Sequence, residues 1–262
     1  MSGSFERTAL GRTGLTVGRL GLACSYGAPA KAVERAFEQG VNYFYWGSLR
    51  RRAFAQGIRN LASRRDELVL AVQSYSRVAR LIPWSLERAL RQLRTDWADV
   101  LLLGLWNREA PERILEECRK LERRGLVRHL GLSTHNRALA ARLAGSKEFA
   151  VLHVRYNAVH TKVEREVFPY VPDGSGPGVV CFTATYWRRL LDPRRMPPGE
   201  ATPTAGDCYR FVLSHPAVDV CLTGPSSAAQ MDHALETFRQ GPLSEDELAW
   251  MRRVGRHIYA KL

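Results

Sequence analysis

DVLLLGLWNREAPERILEECRKLERRGLVRHLGLS, residues 99–133, holds one complete unit of the pattern that decides the fold. Its opening, Asp99–Trp106, is nearly all apolar, as a strand covered on both faces must be. Pro111 then starts a charged stretch of helical spacing that runs to Arg124, and proline suits a first helical turn. Val127–Ser133 returns to a short apolar run. Strand, helix and strand in this order make a parallel crossover unit.

The same alternation extends in both directions. Leu20–Cys24 reads as a strand before the helix Pro29–Gln39, which Gly40 stops. Val41–Trp46 precedes the basic helix Arg51–Ala62, and Leu68–Tyr75 precedes Pro83–Arg94. Downstream, helix Asn136–Leu143 leads to strand Ala150–Asn157 and a short helix near Glu164–Tyr170. Val179–Thr183 is followed by Thr204–Leu213, and Val218–Thr223 by Ala228–Phe238. A final amphipathic helix runs from Glu245 to Tyr259. Eight strands, each with a helix after it, in 262 residues predict an α/β chain closed into a (β/α)8 TIM barrel, read as one domain over 1–262. An open doubly wound sheet would need a Gly-rich fingerprint after its first strand, and residues 21–27, GLACSYG, lack it.

Composition narrows the class. Apolar residues at 45% and charged residues at 25% exclude a disordered chain. Cys24, Cys118, Cys181, Cys208 and Cys221 are odd in number and form no CxxC pair. They read as the reduced thiols of a cytoplasmic protein, neither a disulfide frame nor a zinc site. Residues 1–19 lack the apolar core of a signal peptide, and no apolar run is long enough to span a bilayer. The formal charge is +13, and only five of the 39 basic residues are lysine. The arginines are scattered, as solvated faces of outer helices would be; a field drawing an anionic ligand is the functional alternative. Nucleic acid is disfavoured, because basic and aromatic residues interleave only at Trp187–Arg189 and Trp250–Arg253. The expected partner is a small-molecule substrate or ligand, an anionic one if the charge is functional.

In a barrel, chemistry belongs at the C-terminal ends of the strands. Cys24, Tyr45, Gln73, Tyr75, Gly104, Trp106, Ser133, His153, Arg155, Asn157, Phe182 and Thr223 fall there. Alternation puts His153, Arg155 and Asn157 on one face of their strand, and a polar trio inside a barrel needs partners or a ligand. His135, His153 and His160 come without a carboxylate at ligand spacing, so no metal site is expected.

The chain resembles an aldo-keto reductase over nearly its whole length. LGRTGLTVGRLGL at residues 10–22 resembles that family's bottom-plugging hairpin and first strand, and GVNYF at 40–44 its lead-in to the catalytic segment. VRHLGLS at 127–133 resembles its fifth strand, Tyr156-Asn157 the end of its sixth, and TGPSSAAQ at 223–230 its last cofactor loop. The resemblance implies an N-terminal hairpin, a C-terminal helix, and reduction of carbonyls with NADPH by an Asp, Tyr, Lys and His tetrad. Those four positions fall on Tyr45, Arg50, Gln73 and Gly104. Glutamine carries no charge to make a phenol of pKa about 10 a usable acid, and glycine offers a carbonyl no side chain. The inherited route is therefore lost, and Tyr45, Arg50 and His153 become the candidate catalytic residues. For the cofactor, the resemblance implies Ser133, Thr134, Phe182, Gly224, Ser226 and Gln230. Trp46, Gln73, Tyr75, Trp106, Asn107 and Arg155 are expected around the substrate. An atypical NADP(H)-linked oxidoreductase follows; the alternatives are a non-redox enzyme reusing Tyr45, Arg50 and His153, and a ligand-sensing protein without catalysis.

Overall fold

The computed structural model describes residues 4–47 and 52–261. Eight parallel strands close into a barrel in chain order: β1 Leu20–Ala23, β2 Tyr43–Trp46, β3 Val69–Ser74, β4 Ala98–Leu103, β5 Val127–Thr134, β6 Val151–Arg155, β7 Gly178–Phe182 and β8 Val220–Thr223. Pairing of Cys221 with Leu20 and of Thr223 with Leu22 joins β8 to β1 and shuts the sheet. Around it run α1 Ala30–Glu38, α2 Arg52–Asn60, α3 Leu81–Leu93, α4 Glu112–Arg123, α5 Arg137–Ala144, α6 Val163–Glu166, α7 Ala205–Leu213, α8 Ala228–Gln240 and α9 Glu245–Tyr259. The predicted (β/α)8 barrel is thus the observed fold. Differences lie at element ends. Cys24 leaves the first strand for a 3-10 turn, and α6 is a single turn followed by a second 3-10 turn, Phe168–Tyr170, where Pro169 has no N–H to continue a helix.

The period of two sorts each strand into faces. Tyr43, Val69, Ala71, Val100, Val151, Val180, Val220 and Leu222 fill the barrel interior. Phe44, Trp46, Leu70, Val72, Leu101 and Leu103 point outward and pack beneath the helices with Phe54 and Ile58. An antiparallel hairpin, Thr8–Ala9 with Thr16–Val17, closes the bottom and drives the fully buried Leu10 and Val17 into the interior. Polar groups there are satisfied. Asn42 accepts from the Gly18 N–H and donates to the Thr16 and Glu67 carbonyls, and buried Asp99 pairs with Arg65 at 2.9 Å and Arg128 at 3.2 Å.

The C-terminal helix is anchored as firmly. Ser244 and Glu247 form a capping box at its start. Glu247 also takes both terminal nitrogens of the buried Arg210, at 2.9 and 3.0 Å. Gly255 lies so close to the Ala158 carbonyl that a Cβ would sit 1.9 Å from its oxygen. With the bottom sealed, the strand C-terminal ends form the face left for function.

Candidate active site and cofactor arc

Tyr45, Gln73 and Gly104, three of the four positions that the resemblance assigned to a tetrad, meet at the barrel mouth. Tyr45, on the inward face of β2, donates its phenol hydrogen to Gln73 Oε1 in a short hydrogen bond. Gln73 ends the inward face of β3 and lies over Gly104, just beyond β4. A Cβ at Gly104 would fall 2.1 Å from Gln73 Nε2, so the amide occupies the space a side chain there would need. The Tyr45 ring folds back on Gly47, where a Cβ would lie 2.1 Å from the phenol oxygen. Tyr75 Oη is 3.4 Å from Tyr45 Oη, and its ring is largely exposed. Burial, with the Tyr75 phenol adding to it, pushes the Tyr45 phenol far above its ordinary pKa. Among the described residues no cation acts on it, so burial leaves it neutral and a poor acid.

One layer deeper, His153 on β6 is fully buried with Nε2 2.8 Å from the Tyr43 phenol oxygen. Burial pushes the imidazole down to about 3, so the ring is neutral at physiological pH. Its ring centroid lies 5.7 Å from that of Tyr45. His153 therefore supports the mouth from below as part of an internal network. Arg50 lies outside the described residues.

The strands on the other side of the mouth carry the residues expected to meet a cofactor. Ser133 and Thr134 end β5 and are buried, and among the described residues the Ser133 hydroxyl makes no hydrogen bond. Phe182 ends β7 half-buried, edge-on to His135 at 5.5 Å. Past β8, Gly224 is covered by the ring of Tyr26, an atom of which a Cβ would meet at 2.2 Å; Tyr26 is 54% exposed. Ser226 donates both its N–H and its hydroxyl to Gln230 Oε1, and Ser227 caps α8 by accepting the Gln230 N–H.

Several expected pocket residues are placed elsewhere. Trp46 is on the outward face of β2, packed on Phe54 at 6.2 Å, because strand parity opposes it to Tyr45. Trp106 is buried beneath the Arg77 guanidinium, 4.1 Å from its ring centroid. Asn107 clamps two loops: its Oδ1 accepts from the His135 N–H and its carbonyl from Asn136 Nδ2. The His153–Arg155–Asn157 trio is split. Asn157 is past the strand end, donating to the Thr183 carbonyl and accepting from the Val159 and His160 N–H groups. Arg155 lines a cleft between α5 and α6 with His135, His160, Arg137 and Lys162. Among the described residues no group of three or more His, Cys, Asp or Glu side chains converges as a metal site.

Backbone strain marks the same face and has no sequence signal. Of the described non-glycine residues with positive φ, Leu105, Thr183, Tyr186, Trp187 and Arg188 all follow β4 or β7; Arg94 caps α3. Each costs roughly 1–2 kcal/mol, and such residues concentrate where function overrides local preference. None is Gly or Asn, so composition did not announce them.

Comparison with known proteins agrees with the barrel fold. A 108-residue segment is 29% identical to aldo-keto reductase ausK of Aspergillus calidoustus; the match covers 38% of this chain and only 27% of that protein. The holo form of aldo-keto reductase AKR11C1 from Bacillus halodurans superposes with a TM-score of 0.79 at 21% identity, over 95% of this chain and 96% of that one. Its apo form gives 0.77 at 20%, over the same shares. An aldo-keto reductase structure from Pseudomonas aeruginosa gives 0.71 at 19%, over 92% and 98%. These similarities share the fold. The family model for the aldo/keto reductase family matches residues 19–186, and by that match the chain belongs to the aldo-keto reductase family.

Proposed function

We propose that this chain is an NADP(H)-linked oxidoreductase of altered chemistry, acting on a small molecule in the cytoplasm. The observation that carries the reading is the contact of Tyr45, Gln73 and Gly104: the acid–base half of the mouth has been rebuilt as a neutral, mutually filling set. The half formed by β5, β7 and β8 keeps a fit to a dinucleotide. Ser133 offers an uncommitted hydroxyl for the nicotinamide amide beside Thr134, Phe182 a half-exposed ring for stacking, and the Gly224–Gln230 segment the start of a 13-residue helix for phosphate. Bound there, the cofactor would supply hydride. Tyr45 would orient a polar substrate atom through its phenol oxygen, and His153 would hold the layer beneath it. A substrate that arrives activated, such as a protonated imine, or an enone whose hydride adduct is a stabilised enolate, suits a neutral mouth better than a simple ketone.

A test combines tryptophan-fluorescence quenching and thermal shift on adding NADPH with turnover over a carbonyl and imine panel. Saturable binding with imine or enone reduction that survives Tyr45→Phe supports the proposal. Saturable binding with no turnover assigns the chain to ligand sensing instead. No NADPH binding refutes the cofactor assignment.

A further inference from the structure

A second concave region adjoins the mouth, between the ends of β5 and β6 and the helices α5 and α6. Strand parity sends His153 into the barrel and Val154 outward, where Ala140 of α5 and Val163 and Val167 of α6 make an apolar floor. The cleft has a volume of about 230 Å³, below the usual range for drug-sized ligands and suited to a small metabolite. Its rim is cationic: Arg137, Arg155 and Lys162 line it, with the imidazoles of His135 and His160, and no carboxylate is among the lining residues.

Among the described residues, Arg155 and Lys162 make no ion pair, and Arg137 makes one. Arg155 is half-buried and makes no hydrogen bond or ion pair among the described residues. A desolvated guanidinium without a partner is costly, and an incoming anion would remove that cost. Lys162 is exposed and only leans toward the Tyr259 ring, at 5.9 Å. Arg137 alone is engaged, by Glu166, through its Nε, which leaves its terminal nitrogens for another acceptor. His135 Nδ1 is a buried polar atom without a partner in the same wall. His160 is pushed down to about 4, first by burial and then by Arg155, Arg137 and His135, which reports a positive potential in the cleft.

We propose that this cleft binds a phosphate monoester of a small metabolite, with Arg155 as the principal contact and Lys162 and Arg137 completing the charge. Arginine presents a planar fork that matches phosphate oxygens, Lys162 adds a point charge, and the apolar floor receives the organic part. The cleft shares Thr134 with the cofactor arc, and its His135 meets Phe182, so the two sites adjoin and binding with and without NADPH distinguishes them.

Isothermal titration of the full chain with glycerol phosphate, inorganic phosphate and glycerol tests the proposal. Saturable binding of the ester, weakened about tenfold or more by Arg155→Gln and severalfold by Lys162→Gln, is expected. Arg165→Gln, an exposed arginine of α6 outside the cleft, should leave it unchanged. Lys162→Gln alters only an exposed side chain and keeps the test open if Arg155→Gln misfolds. Tighter binding of inorganic phosphate than of the ester assigns the charge cluster to a free ion and overturns the monoester. Equal weakening by Arg165→Gln, or no saturation by any phosphate, overturns the site. Titration repeated with saturating NADPH should give the same affinity; competition would place the phosphate in the cofactor arc and overturn a separate site.

Discussion

Replacing His153 by glutamine should change the pH dependence of stability by a predictable amount. The imidazole is fully buried, bonded to Tyr43, and lowered from 6.5 to about 3 by burial. In the unfolded chain it regains its ordinary value. Between those two values the unfolded chain binds a proton that the folded chain refuses. The linked stability is therefore fully present above the unfolded pKa and is lost as pH falls through the window. By linkage, about 2 kcal/mol is lost between about pH 8 and pH 5, rising to an upper limit of about 4 to 5 kcal/mol well below pH 3. Other groups move too. His160, pushed down to about 4, acts in the same direction, discounted for its half-exposure. Asp219, pushed up to about 6 by burial, has the opposite sign, since its protonation favours the fold as pH falls. These contributions cancel when wild type and His153→Gln are compared at each pH. Glutamine keeps a polar partner for Tyr43 and does not titrate. Urea unfolding at about pH 8, 6.5 and 5 should show the stability gap closing in favour of the variant by about 2 kcal/mol. A gap constant across the three would refute the buried neutral imidazole.

Two further outcomes follow from close approaches. Gly104→Ala places a Cβ 2.1 Å from Gln73 Nε2 and should cost about 1–3 kcal/mol, falling below about 1 kcal/mol in a Gln73→Ala background; equal costs in both backgrounds by denaturant unfolding would dismiss the contact. Gly255→Ala should gain about 1 kcal/mol of helix propensity yet lose more than about 2 kcal/mol overall, because the Cβ lies 1.9 Å from the Ala158 oxygen; a higher Tm would show that α9 is not docked as described.

Much of the mouth was readable from parity. Tyr45 and Gln73 sit inward because they fall in step with Tyr43, Val69 and Ala71, and the same counting places Trp46 outward, against its expected pocket role. The contact of Gln73 with Gly104 was not readable, since it depends on the register between β3 and β4 and on the side chain bending across the end of the next strand. Nor was the fate of Asn157 or Asn107. Each amide could face a ligand or bind a loop, and only the position of the neighbouring backbone chose the loop. The cleft at Arg155 escaped notice for a similar reason. Its cations come from a loop, a helix start and a strand end that have no shared period.

The chain alone determined the barrel and its ancestry, because alternating apolar strands and amphipathic helices are local patterns that only a few layered packings can bury. It also supplied Tyr45, Arg50, Gln73 and Gly104 as the residues that the resemblance sets at the tetrad positions. Tertiary structure decided what the replacements do. Whether a phenol is paired, an imidazole neutral or a guanidinium unclaimed depends on which groups closure of the sheet brings within hydrogen-bond reach, and on how much water it removes from them.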